Sequence, residues 1–166
     1  MSTSLMNNFG GNMLKRFERF SSGIFSLHKI WHKIASDALK PYDLTSSHLT
    51  YLMALIQSED GLTSSELVEI CGKDKSDVSR SLNTMANKGL VNKESSHKKG
   101  YGGVFFLTEK GMEVAGQTYD KVAFAVEYAT KNIPEEKKEI FYEVLGLFDE
   151  NLNELNEKTK DKEGDK

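Results

Sequence analysis

Apolar residues recur at steps of three and four positions in two stretches of this chain, one near its start and one near its end. The first stretch contains Phe17, Phe20, Ile24, Leu27, Trp31, Ile34 and Ala38. The second stretch contains Phe141, Leu145, Phe148, Leu152 and Leu155. A mean step of about 3.5 residues predicts two long helices, each with a coiled-coil-like apolar seam. The first helix should run from Met13 until Pro41 ends it, and Pro134 should take the first helical position of the last.

Two shorter helices are predicted directly after Pro41. The second helix starts near residues 45–47, and the third follows the sequence Thr63-Ser-Ser-Glu66. This sequence has the form of a capping box, in which the first and last side chains each hydrogen-bond the other residue's backbone. The third helix should carry Leu67 and Ile70 inward and stop at Gly72.

A fourth helix and a hairpin follow. Asp74 is the expected N-cap of this helix, and Gly89 is well placed as the residue just beyond its end. Its inward stripe should be Val78, Leu82 and Met85. Two short strands are predicted at residues 90–94 and 104–107, joined by the Lys- and Gly-rich sequence SSHKKGYGG. Thr108 is the expected N-cap of the fifth helix.

This order of elements predicts a mainly α fold with a small two- to three-stranded β-wing, namely a winged helix-turn-helix. Residues 45–107 would form the winged part, flanked by helical regions at 13–40 and 108–157. Residues 1–12 and 158–166 are polar or densely charged, so we expect disordered ends. Nothing in the sequence divides the chain into independent domains.

Positive charge is concentrated on the fourth helix and the hairpin. From Lys73 to Gly100, seven Lys and Arg residues face three acids, a balance of +4 in a chain whose net charge is −3. A local excess of this kind in an acidic protein suits a polyanion such as a phosphate backbone.

Composition narrows the function classes further. The single cysteine excludes an internal disulfide framework. No apolar run approaches the roughly 20 residues of a membrane span, and the start lacks the order of a signal peptide, so we expect a cytoplasmic protein with no membrane partner. The chain has no nucleophile motif and no phosphate-cradling glycine loop, so neither an enzyme nor a bound cofactor is expected.

The sequence DKSDVSRSLNTMANKGLV (Asp74 to Val91), followed by FLTEKG (Phe106 to Gly111), resembles the MarR family of bacterial transcriptional regulators. The resemblance implies a homodimer that presents two winged units to a pseudo-palindromic site on double-stranded DNA, usually as a repressor. It places the interlocking dimer contacts on the first and last helices, at Phe17, Phe20, Ile24, Phe141, Leu145, Phe148 and Leu152. The alternative is that these apolar stripes are core of a single chain.

The resemblance implies that the fourth helix contacts DNA, and the charge of the wing and the chemistry of the helix starts add further candidates. The candidate DNA-contacting residues are Ser64, Ser65, Lys73, Lys75, Ser76, Ser79, Arg80, Asn83, His97, Lys98 and Lys99. Arg80 can present a bidentate fork to guanine, whereas the lysines and the serines at 64 and 65 suit phosphate. Taken singly, each Lys or Ser has the alternative of being a solvated surface residue. Asp77 is expected to cap the helix start.

The wing departs from the family pattern. Most members carry Asp-x-Arg at the tip, with the arginine in the minor groove, whereas this chain has Lys98 and Lys99. Lysine reads a minor groove less well than arginine does. We therefore expect the wing to contribute affinity rather than sequence preference.

Three sensing functions and one non-DNA function remain open. By position in the family, Trp31, His32, Tyr51 and Met53 would line a pocket for a small aromatic effector, with ordinary core packing as the alternative. His28 and His32 lie one helical turn apart and would bind zinc with His48 or Glu18, although surface or interface histidines explain them more simply, so no metal is predicted. Cys71 is a redox candidate or a small core residue. A winged helix can also serve as a protein-docking module.

Overall fold

The computed structural model describes residues 11–94 and 103–164. Within them lie six α-helices and one two-stranded antiparallel sheet. Their bounds are α1 Gly11–Leu39, α2 His48–Ile56, α3 Ser64–Cys71, α4 Lys75–Asn87, β1 Val91–Glu94, β2 Val104–Leu107, α5 Glu109–Thr130 and α6 Glu135–Gly164. The predicted fold class, mainly α with a small β-wing, is confirmed. The chain forms two compact units, with their boundary inside α5 between Ala125 and Val126.

The core of the first unit is built from the winged part and from the helix ends beside it. Its completely buried side chains include Leu39, Tyr51, Leu52, Leu67, Val78, Met85 and Ala115. They come from the end of α1, from α2, α3 and α4, and from the first half of α5. The core therefore lies directly under α3 and α4 and fixes both helices from within.

Local signals place α3 as expected, with one exception. The Thr63 hydroxyl accepts a hydrogen bond from the Glu66 amide at 3.2 Å, and the Glu66 carboxylate accepts one from the Thr63 amide at 2.7 Å. Gly72 ends the helix with φ +59°. The expectation that Ile70 points inward is wrong, because its side chain is 59% exposed. The inward positions are Leu67, Val68 and Cys71, which share one face of this short helix.

Helix α4 has a fixed start and a fixed end. The Asp74 carboxylate accepts a hydrogen bond from the Asp77 amide at 2.8 Å, so Asp74 is the N-cap. At the other end, Gly89 has φ +69°, and the Leu90 amide donates to the Met85 carbonyl at 2.9 Å. This glycine-terminated pattern satisfies the last carbonyls of the helix. Both predicted ends are confirmed.

The wing is anchored at its base. Strands β1 and β2 pair from Val91 with Leu107 to Glu94 with Val104. A third segment joins through a single bridge, in which Leu62 and Phe105 exchange two backbone hydrogen bonds of 3.0 and 2.8 Å. Leu62 directly precedes the cap of α3, so this bridge ties the start of α3 to the wing.

The start of α5 closes the winged part. The Thr108 hydroxyl accepts a hydrogen bond from the Gly111 amide at 2.9 Å and donates one to the Gly89 carbonyl at 2.7 Å. A Cβ atom on Gly111 would lie 2.0 Å from the Leu90 carbonyl oxygen. Only glycine therefore allows α5 to approach the start of β1 this closely.

The long helices correct three expected ends. Helix α1 begins at Gly11, ahead of Met13, and therefore includes residues expected to be disordered. Helix α6 begins at Glu135, because the Pro134 carbonyl accepts from the Lys138 amide at 3.2 Å and Pro134 is thus the cap. Helix α6 also continues to Gly164, through most of the segment 158–166 expected to be disordered. Its Glu and Lys residues are good helix formers, and Lys158 pairs with Glu154 one turn away.

Candidate nucleic-acid interface

The polar face of α4 is exposed along its whole length. Its residues are Lys75, Ser76, Ser79, Arg80 and Asn83. They lie opposite the buried stripe of Val78, Leu82 and Met85, which are at most 2% exposed. The structure thus brings five of the predicted DNA-contacting residues together on one rigid surface. Its width suits the major groove, which admits a single α-helix.

Three further predicted residues lie beside this face. Ser64 and Ser65 are exposed in the first turn of α3, where the helix dipole favours an anion. Lys73 is exposed in the turn between α3 and α4. The remaining three, His97, Lys98 and Lys99, lie outside the described residues.

Two of the cations in this region contact other side chains of the same chain. The Lys88 ammonium is 2.6 Å from the Asp43 carboxylate, and the Lys93 ammonium lies 5.5 Å from the centre of the Phe105 ring. Among the described residues of the basic stretch, the exposed cations are Lys73, Lys75 and Arg80 on and beside α4, and Lys93 on β1.

A buried tyrosine reaches the polar face from below. The Tyr51 hydroxyl on α2 donates a hydrogen bond to the Asp77 carboxylate at 3.0 Å. Burial, together with Asp77, raises the pKa of Tyr51 to about 12, so the hydroxyl keeps its proton at neutral pH. The other Asp77 oxygen lies 3.8 Å from the Arg80 guanidinium, which is an ion pair rather than a hydrogen bond.

Sequence reasoning missed this connection. Tyr51 was expected to line an effector pocket, but its side chain is completely buried, so it is a core residue. One signal was available in the sequence. Tyr51 lies in the apolar run YLMALI, which predicts burial, and a buried tyrosine hydroxyl requires a polar partner. The partner is 26 residues away in sequence, which no local pattern reveals.

Of the other three predicted pocket residues, two are exposed and one is partly buried. Trp31 is 41% exposed, His32 is exposed with its ring nitrogen 2.8 Å from the Ser46 hydroxyl, and Met53 packs against the core. A shallow hollow of about 350 Å³ on α1 is lined instead by Arg16, Arg19 and Phe20.

The candidate sensor residues are similarly dispersed. The His28 and His32 rings are 6.1 Å apart, and residues 11–94 and 103–164 contain no group of three or more His, Cys, Asp or Glu able to hold a metal. His48 is buried, and its ring nitrogen faces the Thr45 amide at 3.1 Å. Burial raises the pKa of the Cys71 thiol, which favours the less reactive protonated form.

The predicted dimer contacts are all exposed in the single chain. On α1 they are Phe17, Phe20 and Ile24, and on α6 they are Phe141, Leu145, Phe148 and Leu152. Their exposed fractions range from 40 to 64%. Each of these helices therefore carries an apolar face that the described chain leaves largely open to solvent.

A helix, a turn, a second helix with an exposed polar face and a β-hairpin together define a winged helix-turn-helix. Residues 42–100 match the model of the MarR family. The resemblance noted from the sequence is thus confirmed for residues 42–100, the part of the chain that the family model matches.

Solved structures agree with this fold. MepR of S. aureus in its DNA-binding conformation is 18% identical, with a TM-score of 0.74 over 80% of this chain and 98% of that one. A putative MarR-family regulator of Listeria monocytogenes complexed with 26mer DNA is 21% identical, with a TM-score of 0.71 over 79% and 87%. Apo MarR of E. coli is 20% identical, with a TM-score of 0.60 over 77% and 95%. In the described ranges, no helix has the length and apolar character needed to cross a bilayer.

Proposed function

We propose that this protein is a transcriptional regulator that binds double-stranded DNA as a homodimer, with α4 in the major groove. The exposed polar face of α4 carries the proposal. It is held by a capped helix on a buried apolar stripe and contains one arginine among short side chains. Rigid presentation of a few polar residues to base edges is how helix-turn-helix proteins read sequence.

Each residue then has a distinct part in recognition. The Arg80 guanidinium, 70% exposed, donates two hydrogen bonds to O6 and N7 of a guanine. Ser76 and Ser79 are short enough to let the helix approach the bases. Lys73 and Lys75 contact phosphates, as do the hydroxyls and amides of the first turn of α3.

A homodimer accounts for the apolar faces of α1 and α6. Exposed apolar patches of this extent are unusual on a monomeric protein and mark association surfaces. A two-fold dimer presents two recognition helices, so its operator is pseudo-palindromic, with half-sites about 34 to 36 Å apart.

Repression in the cytoplasm and a response to a small aromatic effector complete the proposal. Both rest on the family resemblance. Trp31 and His32 remain the candidate effector contacts, because both are exposed on α1. An effector acts by favouring a dimer in which the two recognition helices no longer match both half-sites.

The proposal is tested by measuring DNA binding of the full chain by fluorescence anisotropy, using sites selected from a random duplex library. Arg80→Ala should weaken binding to the selected site about 10- to 100-fold and relax preference at one base pair. Lys75→Ala should weaken binding to all sequences and lower the salt slope by about one. Lys121→Ala, which removes an exposed cation from α5, is the matched control.

The wing is tested with the double change Lys98→Ala and Lys99→Ala. Affinity should fall for every sequence, with a salt slope lower by about one for each phosphate that the variant no longer neutralises, while the selected sequence stays the same. A changed sequence preference with unchanged affinity would show that the wing reads bases. If the wild-type chain binds no duplex at low salt, the DNA-binding proposal fails, and a protein-docking function takes its place.

A further inference from the structure

Asp77 is an acid on the face that would meet the phosphate backbone. Its carboxylate is 28% exposed, between Lys75, Ser76 and Arg80 in sequence. A negative charge there repels DNA, so its presence on a binding face needs an explanation. The N-cap does not supply one, because Asp74 fills that position and receives only the backbone amide of Asp77.

Stability does not explain the acid's contact with Arg80 either. The guanidinium is 70% exposed, and exposed ion pairs contribute little to folding. The other oxygen of the Asp77 carboxylate has a buried partner. It accepts the hydrogen bond of Tyr51, whose side chain has no exposed surface.

These contacts form a continuous path from the core to the solvent side of α4. Tyr51 is fixed by packing, its hydroxyl fixes one Asp77 oxygen, and the other oxygen lies beside Arg80. Since Arg80 has several rotatable bonds, free rotation would oppose the formation of two aligned hydrogen bonds to one base. An anion held in a fixed position limits that rotation before DNA arrives.

We infer that Asp77, held by Tyr51, is a positioning residue that orients the Arg80 fork and thereby sets base-pair specificity at the position Arg80 contacts. The inference rests on the proposed DNA-binding function. It assigns Asp77 no base contact of its own. Asp77 should therefore increase discrimination between base pairs, while its negative charge lowers general affinity for duplex DNA.

The decisive variant is Asp77→Asn. The asparagine carbonyl can still accept the Tyr51 hydrogen bond, but the negative charge beside Arg80 is lost. Asp74→Asn is the matched control, since it removes the same charge three residues earlier and asparagine still caps the helix. Thermal unfolding by circular dichroism establishes that both variants are folded.

The experiment compares sequence selection and binding constants for the full-length wild type and the variants. Asp77→Asn should reduce the preference for guanine at the Arg80-dependent position about tenfold, while affinity for random duplex is unchanged or higher. Tyr51→Phe, which removes only the buried hydroxyl, should reduce the same preference by a smaller factor. Asp74→Asn should leave the preference as in the wild type.

The double variant Arg80→Ala with Asp77→Asn decides whether Asp77 acts through Arg80. It should select the same sequences as Arg80→Ala alone. The inference is overturned if Asp77→Asn keeps the wild-type preference, or if it changes the sequences selected when Arg80 is already absent, because Asp77 would then contact a base itself. A wild-type chain that selects no sequence overturns the proposed function itself, a result distinct from either of these.

Discussion

Helices α1 and α4 have the same kind of apolar stripe, but the stripe of α4 is buried and most of the stripe of α1 is exposed. The stripe of α4, Val78, Leu82 and Met85, is buried within its own chain. The stripe of α1 is exposed from Phe17 to Trp31 and becomes buried only near its end, at Ala38. Helical periodicity therefore identifies an apolar face but not what covers it. In α4 the cover is the rest of the winged part, and in α1 it must come from elsewhere.

The largest expected effect comes from charging the open face of α1. Phe17→Glu combined with Ile24→Glu should raise the dimer dissociation constant by about 1,000-fold or more, because an unpaired carboxylate in an apolar contact is very unfavourable. Analytical ultracentrifugation should then detect the 18.7 kDa monomer.

Ile70→Glu is the control for this change. Ile70 is also an exposed apolar residue, at 59%, but it lies on α3 outside the proposed dimer face, so the dimer should persist. A wild-type protein that sediments as a monomer would refute the dimer. A doubly charged variant that stays dimeric would exclude the α1 face from the interface.

A smaller effect is expected where packing is already complete. Gly111→Ala should lower the free energy of unfolding by about 3 kcal/mol, because its Cβ would overlap the Leu90 carbonyl and force α5 away from β1. Gly116→Ala, in the same helix with no atom within 4 Å of the new Cβ, should instead raise it by about 0.5–1 kcal/mol. Urea unfolding measures both changes. Equal effects of the two substitutions would show that the close approach at Gly111 is not required.

The smallest expected effect is a pH dependence of the winged part. Burial is the main cause that lowers the pKa of His48. Its hydrogen bond with the Thr45 backbone and the charge of Asp77 oppose this shift, and Lys88 adds a smaller effect in the lowering direction. As the pH falls toward and below the ordinary value of 6.5, the unfolded chain therefore binds this proton at a higher pH than the folded chain does. The free energy of unfolding then decreases as the pH falls, with at most the slope that one proton gives.

His48→Asn removes this titration and keeps an acceptor for the Thr45 amide, which lies 3.1 Å from the histidine ring nitrogen. The melting temperature of the variant should change less than that of the wild type between pH 7.5 and 5.5. The lowered pKa values of Asp37 and Asp43 do not interfere, since their contributions are lost only near and below pH 3.8. A parallel decline in both proteins would rule out His48 as the cause.

Local chemistry explains which parts of the fold were predictable from sequence. Thr63 with Glu66, Asp74 and Gly89 act on backbone groups within a few residues, so their sequence spacing sufficed to place the ends of α3 and α4. Periodicity likewise identified the buried stripe of α4 and, by exclusion, its polar face.

Two of the wrong expectations involve partners distant in sequence, and a third involves a local property of charged residues. Ile70 fits a helical stripe, but the core contacts α3 on a neighbouring face. Tyr51 was assigned to a pocket because nothing local showed that Asp77 accepts its hydroxyl. Helix α6 continued past its last apolar residue because charged residues can maintain a helix that composition alone marks as unfolded.

The bridge between Leu62 and Phe105 has a consequence for engineering this protein. It holds β2 to the residue before the α3 cap, while β1 pairs with β2 as far as Glu94 and Val104. We expect that a replacement tip of the same length, grafted at 95–102, keeps this register. Gly103 must be retained, because a Cβ there would lie 2.7 Å from the Glu94 carbonyl oxygen. If the wing contacts DNA as proposed, exchanging its tip would change that contact while α4 is left untouched.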